Sequence, residues 1–392
     1  MYSKDYSSLY LMPASSENVE FHEAVTEFAR ASCAYWQATK VTIPKSVTIL
    51  QHYCFAFSSL VTVEGLTSSV TQMTGVFLGT VLEGVRDGDK ALYTVVSAEG
   101  KVKYMLSMIL DKNMTEYTLM EGTVGIAGDA FNGCEKLVTA ELGDELESIG
   151  GSAFSGCASL REITFPKTLK FIGDAAFYGC GSLQKVNGLS EVEDITRISE
   201  NGTYEHTLPE QMFYDCSSLK EVGLPSGLKK IGDSAFAYCS SLSSLQIPDE
   251  VEEIGFGAFM GCGITSVRLP SQLRVLGSAV FADSKLESVD LNDCPNLTEL
   301  SPRCFDSTHI ASIVIPDRIT SVPEMCFYGT EELTSVKMSC VESIGEKAFG
   351  YSKLLSSVEL GNALRRIGIR AFTNCISLAS INLPDSVTDI AN

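Results

Sequence analysis

The sequence has few of the residue types that usually build catalytic and metal sites. Its 392 residues include four histidines and one tryptophan. The histidines, at positions 22, 52, 206 and 309, are far apart along the chain. No Cys-x-x-Cys, His-Glu-x-x-His or Gly-x-Ser-x-Gly motif is present. We therefore predict no catalytic residue, no metal ligand and no cofactor, and we do not expect the chain to be an enzyme.

Basic residues and long apolar runs are also scarce. The chain has 29 Lys and Arg against 49 Asp and Glu, which gives a formal net charge of -20. Such a surface repels the phosphate backbone, so we do not expect nucleic acid as a partner. No apolar run approaches the ~18 residues of a membrane span. The start, MYSKDYSSLY, has neither the basic end nor the apolar segment of a signal peptide. No membrane insertion is predicted for this chain.

What the sequence has in abundance is one repeated pattern of about 23 residues. It is clearest from Ser218 to Cys262, where SLKEVGLPSGLKKIGDSAFAYCS is followed by SLSSLQIPDEVEEIGFGAFMGC. Each copy reads Leu-x-x-Val-x-Leu-Pro, then a second aliphatic pair ending in Ile-Gly, then Ala-Phe-x-x-Cys. Self-similarity at a short fixed period is typical of solenoids, in which each coil buries its apolar row against its neighbours.

The phenylalanine of each Ala-Phe pair sets the register of the repeat. An earlier, degenerate turn carries Cys33 in this position, so that about fourteen coils of 22 to 24 residues are predicted. Two longer steps indicate insertions, a hairpin near 86–118 and an acidic loop at 190–206, and a further hairpin is expected near 1–13. The register positions are Phe55, Phe77, Phe131, Phe154, Phe177, Phe213, Phe236, Phe259, Phe281, Phe305, Phe327, Phe349 and Phe372.

Strand alternation predicts the layout of one coil. In Leu-x-x-Val-x-Leu-Pro the Val and the second Leu point inward, their neighbours point outward, and Pro ends the strand. Stacked coils then form a parallel sheet along one wall, and the pair ending in Ile-Gly forms a second short extended piece. We predict a single solenoid domain over residues 1–392. Because the last coil stops before its expected Phe, we expect this domain to be a piece of a longer chain.

Seven of the thirteen cysteines lie three residues after a register Phe. This spacing predicts an inward row in which Cys acts as a small apolar residue and a weak donor, and we expect reduced thiols there. Disulfides between adjacent coils are the competing interpretation, which coil spacing allows but side-chain direction disfavours. Cys304, Asp306 and His309 are close in sequence, but Cys304 adjoins a register Phe, so burial is favoured over metal binding there.

The outward residues of the sheet form a candidate partner-binding face. Seven successive coils carry serine before the inward aliphatic residue, and the residue after it varies. An exposed strand face suits Ser and Thr in any case, but the row also provides an unobstructed groove for a protein or glycan partner. The candidate residues are Ser244, Gln246, Ser266, Arg268, Ser288, Asp290, Ser312, Val314, Ser335, Lys337, Ser357, Glu359, Ser380 and Asn382.

The pattern Leu219-x-x-Val222-x-Leu224-Pro225, continued by Leu228, Ile231-Gly232, Ala235-Phe236 and Cys239, resembles the BspA-like leucine-rich repeat family. The resemblance covers the chain from residue 19 onward and implies a right-handed, leucine-rich-repeat-type superhelix. It also implies a surface-exposed, secreted or anchored binding protein that contacts host matrix proteins, host cells or other microbes. The alternative is a targeting or spacer module of a larger, secreted and possibly enzymatic protein.

Overall fold

The fold is a β-solenoid of short parallel strands, as the repeat predicts. In the computed structural model the chain forms two compact units, Met1–Leu183 with Asn187–Arg197 (unit 1) and Gln184–Val186 with Ile198–Asn392 (unit 2). The single domain over the whole chain stays a prediction. Phe77 lies outside the residues that the structure describes, which are 1–13, 19–51, 54–56, 58–60, 62–65, 71–72, 85–98, 101–192, 195, 197–198 and 204–391.

The first ladder is built from the Leu-x-x-Val-x-Leu part of each coil. Its strands in unit 1 are Lys40–Thr42, Thr62–Glu64, Glu116–Thr118, Thr139–Glu141 and Glu162–Thr164. Its strands in unit 2 are Glu221–Val222, Ser266–Val267, Ser288–Val289, Ser312–Ile315, Ser335–Met338 and Ser357–Leu360, together with residues 185 and 186 of the strand Lys185–Asn187.

The second ladder is built from the aliphatic pair that precedes Gly or Pro, and it confirms the second extended piece. In unit 1 it contains Ser8–Leu9, Glu27–Phe28, Ile49–Leu50, Thr71–Gln72, Thr123–Ile126, Ser148–Ile149 and Phe171–Ile172. In unit 2 it contains Thr207–Leu208, Lys230–Ile231, Glu253–Ile254, Val275–Leu276, Ser321–Val322, Ser343–Ile344, Arg366–Ile367 and Asp389–Ile390.

Antiparallel pairing occurs in the hairpin of unit 1. The strands Val85–Asp87, Ala91–Ala98 and Lys101–Ile109 pair in that order, and Lys101–Ile109 then pairs in parallel with Thr123–Ile126 of the second ladder. The remaining elements are two short strands, Arg197–Ile198 and Tyr204–Glu205, and two 3-10 turns, Leu189–Glu191 and Leu291–Asp293. The described part of the chain contains no helix with the length and hydropathy needed to span a bilayer.

The register phenylalanines form stacks in the core, which confirms that they fill the space between coils. In unit 2 eight successive rings, from Phe213 to Phe372, lie with centroids 5.3 to 5.9 Å apart. In unit 1, Phe131, Phe154 and Phe177 stack at 4.5 and 5.1 Å. Because nearly all of these rings are fully buried, each coil contributes a large apolar side chain to the contact with the next one.

The turn around each register Phe has a backbone geometry that the sequence does not reveal. The residues two before and two after the Phe have positive φ, as at Ser234 (54°) and Tyr238 (62°) on either side of Phe236. The N–H groups of Ser234, Phe236 and Tyr238 donate to the carbonyls of the next coil at 2.8, 2.8 and 2.7 Å. The unusual backbone therefore satisfies buried donors by linking successive coils.

Candidate functional site

The candidate face is the outer side of the first ladder in unit 2. Three four-residue strands define its register, because Ser312 pairs with Ser335 and Ser335 with Ser357. Two residues further on, Val314 pairs with Lys337 and Lys337 with Glu359. The alternating inward residues of the first two strands are buried, as with Ile313 and Ile315, and those of the third strand are half-buried. The serines therefore form one row across the strands (the serine row), and the residues two positions later form a second row parallel to it (the variable row).

Nearly all of the predicted face residues point into solvent. Thirteen of the fourteen are exposed, and Ser335 is half-buried. The structure gives no ladder strand at Ser244 and Gln246 or at Ser380 and Asn382, although these residues are exposed. The part of this face with paired, in-register strands thus lies between residues 266 and 360. Whether these residues bind a partner stays a prediction.

The serine hydroxyls of this face have no protein partner. In the described part of unit 2, the Oγ atoms of Ser244, Ser266, Ser288, Ser312, Ser335, Ser357 and Ser380 make no hydrogen bond to another protein atom. The hydroxyl residues directly before these serines differ. Thr334 donates to the Ala311 carbonyl at 3.0 Å, and Ser356 donates to the Thr334 carbonyl at 3.3 Å. One hydroxyl row is therefore used within the fold, and the other is available for a partner.

The charged residues of the face are balanced and largely paired. The Lys337 ammonium lies 2.8 Å from a Glu359 carboxylate oxygen, and this hydrogen bond raises the pKa of Lys337. Arg268 makes two hydrogen bonds to Asp249, at 2.9 and 3.4 Å. Asp290 accepts from the backbone N–H of Asn292 and so begins the 3-10 turn Leu291–Asp293. The variable row thus carries two cations and two anions, although the whole chain is strongly acidic.

The first ladder of unit 1 presents a different outer surface. Glu116 and Glu162 occupy the position that serine holds in unit 2. Hydroxyl and carboxylate groups pair with each other there, as in the 3.0 Å hydrogen bond from Thr118 to Glu141. The unpaired serine row is therefore a feature of unit 2 rather than a general property of the repeat.

The residues considered for metal binding do not converge. Cys304 is fully buried with its sulfur next to Cys326, Asp306 accepts from Arg303 and Ser307, and His309 lies 3.0 Å from Glu332. Over the described residues, no group of three or more His, Cys, Asp or Glu side chains is arranged to hold a metal ion.

The stacked coils, the two parallel ladders and the rows of buried Phe and Cys define a leucine-rich-repeat solenoid. More specifically, the chain belongs to the BspA type leucine-rich repeat family, whose model matches six copies over residues 10–86, 110–201, 206–334 and 320–392. The family assignment and the fold predicted from the repeat are both confirmed.

Two solved structures of bacterial proteins are similar to the chain. A leucine-rich repeat protein from Bacteroides ovatus is 26% identical with a TM-score of 0.58, and the match covers 100% of this chain and 84% of that one. A leucine-rich cell surface protein from Faecalibacterium prausnitzii is 24% identical with a TM-score of 0.57, and the match covers 78% of this chain and 84% of that one. No match was found among curated proteins.

Proposed function

We propose that this chain is a non-enzymatic binding protein that acts in adhesion at a cell surface or after secretion. Its partner is a protein or a glycan, and the contact surface is the outer side of the first ladder in unit 2. The observation that carries the proposal is the row of seven serine hydroxyls without a protein partner. Because exposed hydroxyls both donate and accept, such a row can pair with peptide groups or with sugar hydroxyls.

The family and the structural relatives support the surface location in this proposal. Leucine-rich repeats are a scaffold whose extended, repeated surfaces suit the binding of macromolecules, and the Faecalibacterium prausnitzii relative is described as a cell surface protein. The balanced charge of the variable row favours a partner without a large net charge. A strongly basic partner would be attracted to the acidic protein as a whole rather than to this face.

The experiment begins with binding of the purified chain to matrix proteins, mucins and microbial cells. A double variant, Ser312→Trp with Ser335→Trp, places two large rings on successive coils of the face. We expect it to block binding by shape alone, because both positions lie on the outer side of paired strands. Measured affinity is the readout, with thermal unfolding to verify the fold.

The matched control is Thr298→Trp with Thr320→Trp. These two residues are also exposed and lie on successive coils of unit 2, but outside the first ladder, and Thr320 directly precedes the second-ladder strand Ser321–Val322. This control variant is expected to bind as the unmodified chain does. If both double variants bind with unchanged affinity, the serine face is not the contact surface.

A further inference from the structure

Six of the thirteen cysteines lie outside the predicted cysteine row, and two of them contact each other. Cys304 and Cys326 directly precede the register residues Phe305 and Phe327, where the repeat has alanine in coils such as those of Ala235 and Ala258. They occupy this position in two successive coils of unit 2. The inward row three residues after the Phe therefore does not explain them.

The two side chains are in direct contact. The sulfur atoms lie 3.4 Å apart, and both residues are fully buried. The coils are held together at this point, because the Phe305 N–H donates to the Cys326 carbonyl at 3.0 Å. Neighbouring strands in a sheet lie about 4.7–4.9 Å apart, within the 4.4–6.8 Å that disulfides span between Cα atoms. The sulfur atoms need to approach by only about 1.4 Å to reach bonding distance.

Cysteines of the inward row behave differently. Cys157 donates to the Phe131 carbonyl at 3.3 Å and Cys180 donates to the Phe154 carbonyl at 3.2 Å, so each thiol points to a backbone oxygen of the preceding coil. In the coils of Cys304 and Cys326 this donor position is occupied by threonine instead. Cys304 and Cys326 are therefore not the residues that donate to a carbonyl of the preceding coil, and their sulfur atoms face each other.

We propose that Cys304 and Cys326 are a modification site at which a small external disulfide, such as oxidised glutathione, forms an intrachain disulfide between successive coils. The thiolate of one cysteine attacks the external disulfide and releases one thiolate. The second cysteine then attacks the mixed disulfide and releases the other. The two cysteines are oxidised, the external disulfide is reduced to two thiols, and the two cysteine protons end on the released thiols.

Burial determines the rate of this reaction. It raises the pKa of the Cys326 thiol well above its usual value, and the Cys304 thiol beside it adds to the shift. Because the thiolate is the attacking species, exchange in the closed protein is slow and requires transient opening of the coils. Once formed, the bond closes a loop between neighbouring coils and reduces the entropy of the unfolded chain. We expect the oxidised protein to unfold at a higher temperature.

The test uses the full chain, reduced, desalted and then incubated with oxidised glutathione. One arm contains buffer alone, and a second contains urea below the unfolding midpoint so that coils open transiently. The protein is then denatured in the presence of N-ethylmaleimide, which blocks every free thiol, and is digested with trypsin without reductant. Arg303, Arg318 and Lys337 bound two peptides with one cysteine each, residues 304–318 and 319–337. Mass spectrometry is expected to find these peptides joined, with the loss of two hydrogens.

Cys157 and Cys180 supply an internal control, since they also lie on successive coils and in separate tryptic peptides. They are expected to remain unlinked because each thiol donates to a carbonyl. A Cys326→Ala variant restores the residue that the repeat usually has here. It should lose both the linked peptide and the oxidant-induced rise in Tm. The proposal is overturned if both arms leave Cys304 and Cys326 alkylated, or if the Cys157–Cys180 link forms equally well.

Discussion

Tyr93 and Tyr117 meet with their hydroxyl oxygens 2.8 Å apart, and Tyr117 also donates to an Asp87 carboxylate oxygen at 3.0 Å. Tyr93 and Asp87 belong to the hairpin of unit 1, and Tyr117 belongs to the first ladder. The Tyr93 hydroxyl also accepts from the Met120 N–H at 3.1 Å. This buried network attaches the hairpin to the first ladder, and the two tyrosines that it joins are 24 residues apart in sequence.

Replacing Tyr117 by Phe is expected to destabilise unit 1 by about 1–3 kcal/mol, because it leaves buried polar groups without a partner. The single tryptophan, Trp36, is buried in unit 1, so its fluorescence during urea unfolding reports on this unit. Tyr10→Phe is the control, since Tyr10 is exposed and its change should stay within about 0.5 kcal/mol. Equal effects of both substitutions would contradict a stabilising network.

The same network predicts a loss of stability at alkaline pH. Burial raises the pKa of Tyr93 and of Tyr117 above the usual 10.0. The folded state thus keeps protons that the unfolded state releases, so this contribution is complete below about pH 10 and declines as the pH rises further. Urea midpoints followed through Trp36 should fall over this range. A Tyr93→Phe, Tyr117→Phe double variant should show a shallower fall, and an unchanged slope would count against the assignment.

The phenylalanine stack should dominate the stability of unit 2. Phe236 is fully buried, with the rings of Phe213 and Phe259 at 5.5 and 5.6 Å on either side. Phe236→Ala is expected to cost about 3–5 kcal/mol, because it removes contacts with both neighbouring coils. Phe256 is half exposed in the same unit, and Phe256→Ala should change stability by no more than about 0.5 kcal/mol. Calorimetric unfolding of both variants compares the two positions directly.

The repeat made the coil predictable, because its apolar positions recur and their burial is a local consequence of strand alternation. The Phe stack, both ladders and the outward direction of residues such as Ser312 and Val314 follow from that pattern. The positive φ angles do not, since Ser234 and Tyr238 have no shared chemistry that marks a left-handed turn. Their backbone is determined by N–H groups that need acceptors on the next coil.

Contacts between residues that are distant in sequence could not be predicted from the repeat either. The partner of Arg268 is Asp249, which follows Pro248 on the preceding coil rather than lying in the variable row. Likewise, the contact of Tyr93 with Tyr117 depends on how the hairpin folds back on the first ladder. In both cases the length and direction of particular side chains decide the pairing, and a periodic pattern does not encode them.

The thiols of the reduced chain should differ sharply in accessibility. All thirteen cysteines are free in the structure, twelve are buried, and Cys340 is half-buried. A thiol reagent is expected to label Cys340 first in the native protein and all thirteen after denaturation. Cys340→Ser should remove the fast phase, whereas Cys375→Ser, at a buried position, should not. Fast labelling of several cysteines in the native protein would mean that the inward row is not packed.

The charges of the serine face allow a test that separates binding from folding. Lys337 and Glu359 pair on neighbouring strands at 2.8 Å, and both are exposed. Reversing one of them, as in Lys337→Glu, places two like charges side by side and alters the charge that a partner meets. The double exchange Lys337→Glu with Glu359→Lys keeps the ion pair but inverts its direction, so stability should change by less than about 0.5 kcal/mol. If a partner contacts this face, both variants should weaken binding while the Tm of the double exchange stays unchanged.

The contrary outcome is a partner that binds the double exchange and the unmodified chain with equal affinity. Such a partner does not contact these charges, and its contacts would then be sought among the serine hydroxyls alone.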